Sequence, residues 1–233
     1  AVLDVAMSAA VMALYAAASS TAALYIVATM FGVDGAVSAP FTYHPTFMAI
    51  AFLFAMPTAV QAVSARHFAG DAGERRAHTE AHMALQSVST IAGTVGFAAI
   101  TYNKYALGKD HFTTTHSVWG LGAMALLWMN AVHGSWEAWM GGSKAATRPR
   151  LAWRSAAHRL GGMGALVAGA VAMYLGFSYP WMADQFGRTQ TTAIIGCAAV
   201  GVVLAVVGAV RGKMMAGQGG GGGGSGAAKA KSG

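Results

Sequence analysis

Four histidines each open a long apolar segment of this 233-residue chain: His44, His82, His116 and His158. Ionisable side chains are costly at membrane depth, and where they occur they are candidates for function. A neutral imidazole can present one ring nitrogen to a metal while its other nitrogen donates a hydrogen bond. Two such imidazoles from facing helices can fill both axial positions of a haem iron, which favours outer-sphere electron transfer over oxygen binding.

The segments that must position these histidines have the composition of membrane spans. The chain is 55% hydrophobic and 10% charged, with a mean hydropathy of +0.49, whereas a soluble domain carries about 25% charged residues. Since a spanning helix needs about 20 apolar residues, we predict an all-α integral membrane protein with six transmembrane helices. The predicted spans are 5–31, 44–65, 80–102, 115–139, 155–179 and 191–210.

The predicted domain organisation is one transmembrane domain, residues 1–213, followed by a flexible Gly-rich basic tail, residues 214–233. Spans two to five are expected to form a four-helix haem-binding core, with spans one and six packed around it. The tail is low in complexity and has no means of building a core. The single cysteine, Cys197, and the lack of a CxxCH motif exclude covalent haem attachment. The first span is too long for a signal-peptide core and is expected to be a retained helix.

Basic residues concentrate in alternate loops, which predicts the orientation. By the positive-inside bias, both termini and the loops after spans two and four face the cytosol or its equivalent. The net charge of +7 is therefore a topology signal. Nucleic-acid binding is not expected, because no aromatic and basic platform accompanies the charge.

This orientation sorts the four histidines into two pairs. His44 and His116 fall near the outer face, whereas His82 and His158 fall near the inner face, each pair coming from alternate helices. A single histidine at a helix end is commonly an interfacial residue, but four on consecutive spans are harder to obtain by chance. Two stacked haems would form an electron conduit. The glycines expected to leave room for the macrocycles are Gly120, Gly161 and Gly162.

Other histidines offer competing interpretations. His78 precedes His82 by one helical turn and would share its face, so it is the main competitor for the inner ligand. His133, near the inner end of span four, is interpreted as a core or interfacial residue. His67 and His111 are interpreted as loop residues.

Four motifs together resemble the cytochrome b561 family, closest to its cytochrome b561 domain-containing branch. They are "YHPTFM", "HMALQ", "YNKYALGKDHFTTTHSVWGL" and "AHRLGGMG", and the resemblance runs over roughly residues 44–179. It implies a transmembrane oxidoreductase with two non-covalent haem b groups. Carried over to this sequence, the ligand pairs are His44 with His116 at the outer face and His82 with His158 at the inner face.

The resemblance also implies small-molecule redox partners and, in many members, a homodimer. Cytosolic ascorbate would be the donor, and monodehydroascorbate or a ferric chelate the acceptor. An anionic donor would be steered by cations near the inner ligands, although positive charge in inner loops needs no such role. The candidate substrate-binding residues are Arg75, Arg76, His78 and Arg154 at the inner side, and Lys104, Lys109 and His111 at the outer side. Two departures from the ascorbate-using pattern are Gln86 and Trp119.

Two other classes of function stay open. One is an accessory haem-bearing subunit of a larger membrane complex, since the Gly/Ala-rich faces suit helix–helix contacts. The other is a transporter that moves protons or metal ions through its histidines. Haem content would separate the transporter from the electron carrier, and reduction by ascorbate would separate the carrier from the accessory subunit.

Overall fold

The computed structural model describes residues 2–32, 40–141 and 155–218, and within these ranges every regular element is a helix. The elements are α1 (Val2–Gly32), α2 (Pro40–Met48), a π segment (Ala49–Ala55), α3 (Met56–Ala65), a 3-10 turn (Arg66–Phe68), α4 (Ala72–Ala106), α5 (Thr115–Gly141), α6 (Ala156–Phe177), α7 (Pro180–Phe186) and α8 (Arg188–Gln218). The predicted all-α class is confirmed for the part of the chain described. α8 continues past residue 213, where the tail was expected to begin.

Five of these helical stretches are long and apolar enough to cross a membrane: Ala10–Phe31, Pro40–Ala65, Ala72–Ala106, Ala156–Phe177 and Arg188–Gly208. They coincide with five of the six predicted spans and define an integral, multi-pass membrane protein. α5 is 27 residues long but is not among the five. Its histidines, Asn130, glycines and tryptophans lower the mean hydropathy of every window along it.

The two helices that carry the inner-face histidines have capped N-termini. The side chain of Asp71 accepts a hydrogen bond from the backbone N–H of Glu74 at the start of α4, at 2.8 Å. The hydroxyl of Ser155 accepts one from the N–H of His158 at the start of α6, at 3.2 Å. Each cap satisfies a backbone donor that has no partner within its own helix. Ser155 thereby fixes where α6 begins, and so where His158 lies.

The second span is interrupted by a widened turn. Pro57 has no backbone N–H, so it cannot donate to the carbonyl of Leu53, and its ring would crowd that carbonyl in a regular α-helix. The chain instead forms the π segment Ala49–Ala55, in which the N–H of Met56 bonds to the carbonyl of Ala51. A π turn of this kind is frequently found at functional sites.

The helices pack as two antiparallel pairs. α4 lies along α2 and α3, α5 lies along α6, and α1 and α8 contact the outside of this four-helix group. Buried apolar side chains fill its middle, among them Leu53, Met124, Leu127 and Leu166, each no more than 2% exposed. This packing brings helices from the two pairs together at both ends of the group.

Candidate metal centres

Two pairs of imidazole rings face each other between the helix pairs. His44 of α2 and His116 of α5 have ring centroids 6.0 Å apart, with an interplanar angle of 81°. His82 of α4 and His158 of α6 have centroids 6.3 Å apart, also at 81°. The structure therefore brings together the same residues that the sequence pairs by membrane face.

Three of the four rings are held through Nδ1 by a backbone carbonyl of the antiparallel neighbour. The Nδ1 of His44 lies 3.1 Å from the carbonyl oxygen of Gly96, and that of His82 lies 2.8 Å from Ala59. The Nδ1 of His116 lies 2.8 Å from Ala172. A carbonyl can only accept, so Nδ1 carries the hydrogen and Nε2 keeps its lone pair, as a metal ligand requires.

His158 is held differently. Its Nδ1 is buried and makes no hydrogen bond of standard geometry with the described residues, although the backbone of Asn130 lies near the ring. Its backbone N–H donates to the hydroxyl of Ser155, and its ring meets a third imidazole, His133, with centroids 5.8 Å apart. The inner pair thus depends on neighbouring side chains as well as on the backbone.

Glycines on the facing helix make room for two of the rings. A Cβ at Gly176 of α6 would lie 2.9 Å from Cε1 of His116, and one at Gly134 of α5 would lie 2.7 Å from Cε1 of His158. Separations this short do not occur between real side chains, so both positions require glycine. The need for glycine at these two positions follows from the register between α5 and α6, which the sequence alone does not give.

Of the three glycines expected to leave room for a macrocycle, only Gly120 has free space beside it. A Cβ at Gly120 would meet no other atom within 4 Å, which agrees with open space beside His116. Gly161 and Gly162 instead pack against the amide of Asn130, since a Cβ at either glycine would lie 2.9 Å from an amide atom of that side chain. The expectation of free space at these two glycines was wrong, because their purpose is to admit an α5 side chain.

The geometry of each pair fits axial ligation of one iron. Two imidazoles that bind the same metal through Nε2 at about 2 Å place their ring centroids about 6 Å apart, and both observed separations have this size. Among the described residues no three His, Cys, Asp or Glu side chains gather into a metal-binding group. A metal held by only two imidazoles needs its other ligands from elsewhere, as the porphyrin of a haem provides.

His133 could compete with His82 as the partner of His158, but its Nε2 is already engaged. That atom lies 3.0 Å from the Ser155 hydroxyl and 3.7 Å from Oε1 of Glu137. The Nε2 of His82 is not held in this way, since that ring bonds through Nδ1. The interpretation of His133 as a core or interfacial residue missed its contact with His158, which the spacing along α5 alone does not show.

The candidate inner cations lie on the first turns of α4, before His82. Arg76 pairs with Glu80 at 2.7 Å, and both side chains are more than half exposed. Arg66, in the 3-10 turn, is only 4% exposed, and burial together with the neighbouring charge of Arg75 lowers the pKa of its guanidinium. The structure therefore adds a buried arginine to this basic region. Arg154 lies outside the described residues.

Of the candidate outer residues, Lys104 lies on the last turn of α4, and Lys109 and His111 lie in the connection between α4 and α5. The Nζ of Lys104 donates to the backbone carbonyl of Asp110 at 2.9 Å, which closes the connection. Lys109 and His111 are exposed there, and the ring of His111 lies against that of Phe112 with centroids 5.9 Å apart.

Comparison with known proteins assigns the family. The family model for eukaryotic cytochrome b561 matches residues 43–183, and the chain belongs to this family of haem b membrane proteins. Similar proteins include the transmembrane reductase CYB561D2 of Mus musculus, 32% identical over 115 residues, or 47% of this chain and 51% of the relative. The same reductase of Homo sapiens is 31% identical over 115 residues, with the same coverage. The chain spans about half the length of these curated relatives, and they confirm the predicted domain-containing branch.

Proposed function

We propose that this chain carries electrons across a membrane through two haem b groups. His44 and His116 would bind the outer haem, and His82 and His158 the inner one. The observation that carries the proposal is the presence of two imidazole pairs, about 20 Å apart along α4 at the rise of an α-helix, each with the ring separation that axial ligation needs. Haem supplies reversible one-electron chemistry.

The protein orients the imidazole rings and would keep oxygen from binding the iron. Carbonyl acceptors at Nδ1 of His44, His82 and His116 hold these three rings in the tautomer that presents Nε2 and raise the basicity of the ligands. If each iron took two imidazoles from the protein, the haem would offer oxygen no place to bind. α5 is the sixth span in this proposal, since it supplies His116 and must run antiparallel to α6 for its whole length.

The donor is an anionic one-electron reductant at the inner face, and ascorbate has that chemistry. Arg75, Arg76 and His78 stand at the start of α4, and Arg154 precedes α6 in the sequence. The guanidinium charges of Arg75 and Arg76 would concentrate an anion beside the inner haem. The positive-inside bias places this basic face on the cytosolic side or its equivalent.

The acceptor binds at the opposite face, where Lys104, Lys109 and His111 surround the start of α5. Monodehydroascorbate and ferric chelates are both anionic, so the same attraction applies to either. The net reaction oxidises the donor by one electron and reduces the acceptor by one electron. The relatives that are named transmembrane reductases support this class of reaction.

The test uses the purified full chain, reconstituted into liposomes after haem loading. A reduced-minus-oxidised spectrum and haem quantification should give two haem b per chain, and ascorbate trapped inside should reduce ferricyanide outside. Absence of haem would contradict the proposal and favour a histidine-based transporter. Two haems that ascorbate does not reduce would contradict the donor assignment and favour an accessory subunit that receives electrons from a partner.

A further inference from the structure

Phe52 occupies the centre of the helix group, between the two imidazole pairs. Along the second span it lies midway between His44, at the outer pair, and Ala59, whose carbonyl holds His82 at the inner pair. Along α4 the same level is reached at Ser89, midway between His82 and Gly96. The side chain of Phe52 is 5% exposed. The ring therefore stands in the protein that separates the two sites.

The π segment sets the position of this ring through two hydrogen bonds from other helices. The hydroxyl of Tyr15, on α1, donates to the carbonyl of Leu53 at 3.0 Å. The hydroxyl of Ser89, on α4, donates to the carbonyl of Ala51 at 3.1 Å. These two carbonyls flank Phe52 on either side, so its backbone is anchored from two directions.

A glycine on the opposite helix pair receives the ring. A Cβ at Gly169 of α6 would overlap the ring of Phe52, so the ring lies directly on the α6 backbone. Phe52 thereby crosses the interior from the second span, which carries His44, to α6, which carries His158. A smaller side chain at position 52 would leave a gap between the two imidazole pairs. A side chain larger than hydrogen at position 169 would take the space that the Phe52 ring occupies.

We propose that Phe52 is the side chain through which electrons pass between the inner and outer haems, and that the π turn exists to hold it there. This inference rests on the proposed function. One electron leaves the anionic donor at the inner face and one reduces the ferric or radical acceptor at the outer face. Phe52 is neither oxidised nor protonated. It fills the interval with closely packed atoms, and a void there would remove contacts that nothing else restores.

The alternative is that Phe52 is an ordinary core residue, important for stability alone. The two roles differ in what they predict for a substitution that keeps the fold. A packing role would lower stability and leave the electron-transfer rate between the haems unchanged. The proposed role changes that rate at unchanged haem content and unchanged midpoint potentials.

The experiment compares Phe52→Leu with Phe186→Leu in the haem-loaded full chain. Phe186 is a matched control, since it is 2% exposed and packs on Tyr25 and Phe177 away from the interval between the pairs. Haem content, both midpoint potentials and the melting temperature are measured first. The rate of electron equilibration between the haems is then measured after rapid photoreduction of one of them.

The expected result is a rate about tenfold lower in Phe52→Leu, with both haems present at their normal potentials, and a normal rate in Phe186→Leu, since only the first opens a gap between the sites. An unchanged rate in Phe52→Leu would overturn the inference while leaving the proposed function intact. If Phe52→Leu does not accumulate, Phe52→Met is used instead, because its flexible chain adapts to the site but is smaller than the ring and leaves a comparable gap; it is judged by the same two outcomes.

The role of the π turn is tested separately with Tyr15→Phe and Ser89→Ala. Each removes one anchoring hydroxyl, so backbone amides 49–56 should exchange with deuterium faster and the equilibration rate should fall severalfold. The matched controls are Tyr25→Phe, whose hydroxyl donates to Phe186, and Ser87→Ala, whose hydroxyl bonds within α4. Unchanged exchange and an unchanged rate in both anchor variants would show that the hydroxyls do not position Phe52.

Discussion

The outer and inner imidazole pairs have nearly the same ring separation but different support. At the outer pair, both Nδ1 atoms reach backbone carbonyls. At the inner pair only His82 does, while His158 relies on the Ser155 cap and the ring of His133. Backbone carbonyls cannot be removed by substitution, so the hydrogen bonds at Nδ1 of the outer pair depend on helix register alone. The inner pair depends on side chains that can change.

This difference predicts which of the two sites responds more strongly to side-chain substitution. The N-terminal cap of α6 and the His133 ring both contact His158, so they belong to the inner site only. Side-chain changes should therefore alter the inner site more readily than the outer one. The five predictions that follow test this contrast, in order of decreasing effect.

Removal of a ligand should eliminate one site and spare the other. His116→Ala should lose the outer haem and His158→Ala the inner haem, so that each variant keeps about one haem per chain. Pyridine haemochrome analysis of the purified variants measures this. Loss of both haems from either variant would mean that the two sites fold as one unit, which would break the comparison.

Alanine at the two facing glycines should displace one ring each. Gly176→Ala pushes on His116 and Gly134→Ala pushes on His158, and overpacking of this kind costs about 1–3 kcal/mol. We expect reduced haem occupancy at the affected site and a lower melting temperature. Gly122→Ala and Gly164→Ala are controls on the same two helices, since a Cβ there meets no atom closer than 3.4 Å. Equal loss in the controls would refute the steric explanation.

Charge at the start of α4 should affect the inner donor only. The double change Arg75→Ala and Arg76→Ala should raise the KM for ascorbate severalfold, most strongly at low salt. Glu80→Gln frees Arg76 from its carboxylate and should shift KM in the opposite direction. Lys109→Ala, at the opposite face, should leave the KM for ascorbate unchanged. Steady-state kinetics in oriented liposomes decides between these outcomes.

The two haems should differ in midpoint potential. A carbonyl acceptor at Nδ1 makes the imidazole a more basic ligand, which stabilises the ferric state. With both rings bonded in this way, the outer haem should have the lower potential of the two. Spectroelectrochemical titration, with each wave assigned from the single-haem variants, measures the order. The reverse order would show that solvent access or charge outweighs the ligand hydrogen bonds.

Loss of the α6 cap should have the smallest effect and should concern the inner site alone. Ser155→Ala removes the hydroxyl that receives the N–H of His158, and a lost N-cap costs about 1 kcal/mol. We expect a slightly lower melting temperature and a shifted inner potential with no change at the outer haem. Ser178→Ala removes a hydroxyl that bonds within α6 at its other end and serves as the control. A shift of both potentials would mean that the cap acts on the whole helix group.

Much of the architecture could be predicted because it depends on local composition. The helical stretches, the four histidines that open them and the sorting of those histidines by face all follow from hydropathy and the placement of basic residues. α5 is the exception among the helices, because the polar and aromatic side chains that serve the site reduce its apolar character. It was predicted in the same way as the other five spans, from its length and apolar residues.

The sequence by itself determined which histidines are candidate haem ligands and roughly at which end of its helix each lies, since these depend on neighbours within one helix. Only the tertiary structure decided which glycines admit the rings, that His133 touches His158, and that Pro57, Tyr15 and Ser89 together shape the turn that holds Phe52. These features join residues from different helices. Their register depends on the packing of many side chains at once, and no local pattern along the chain records it.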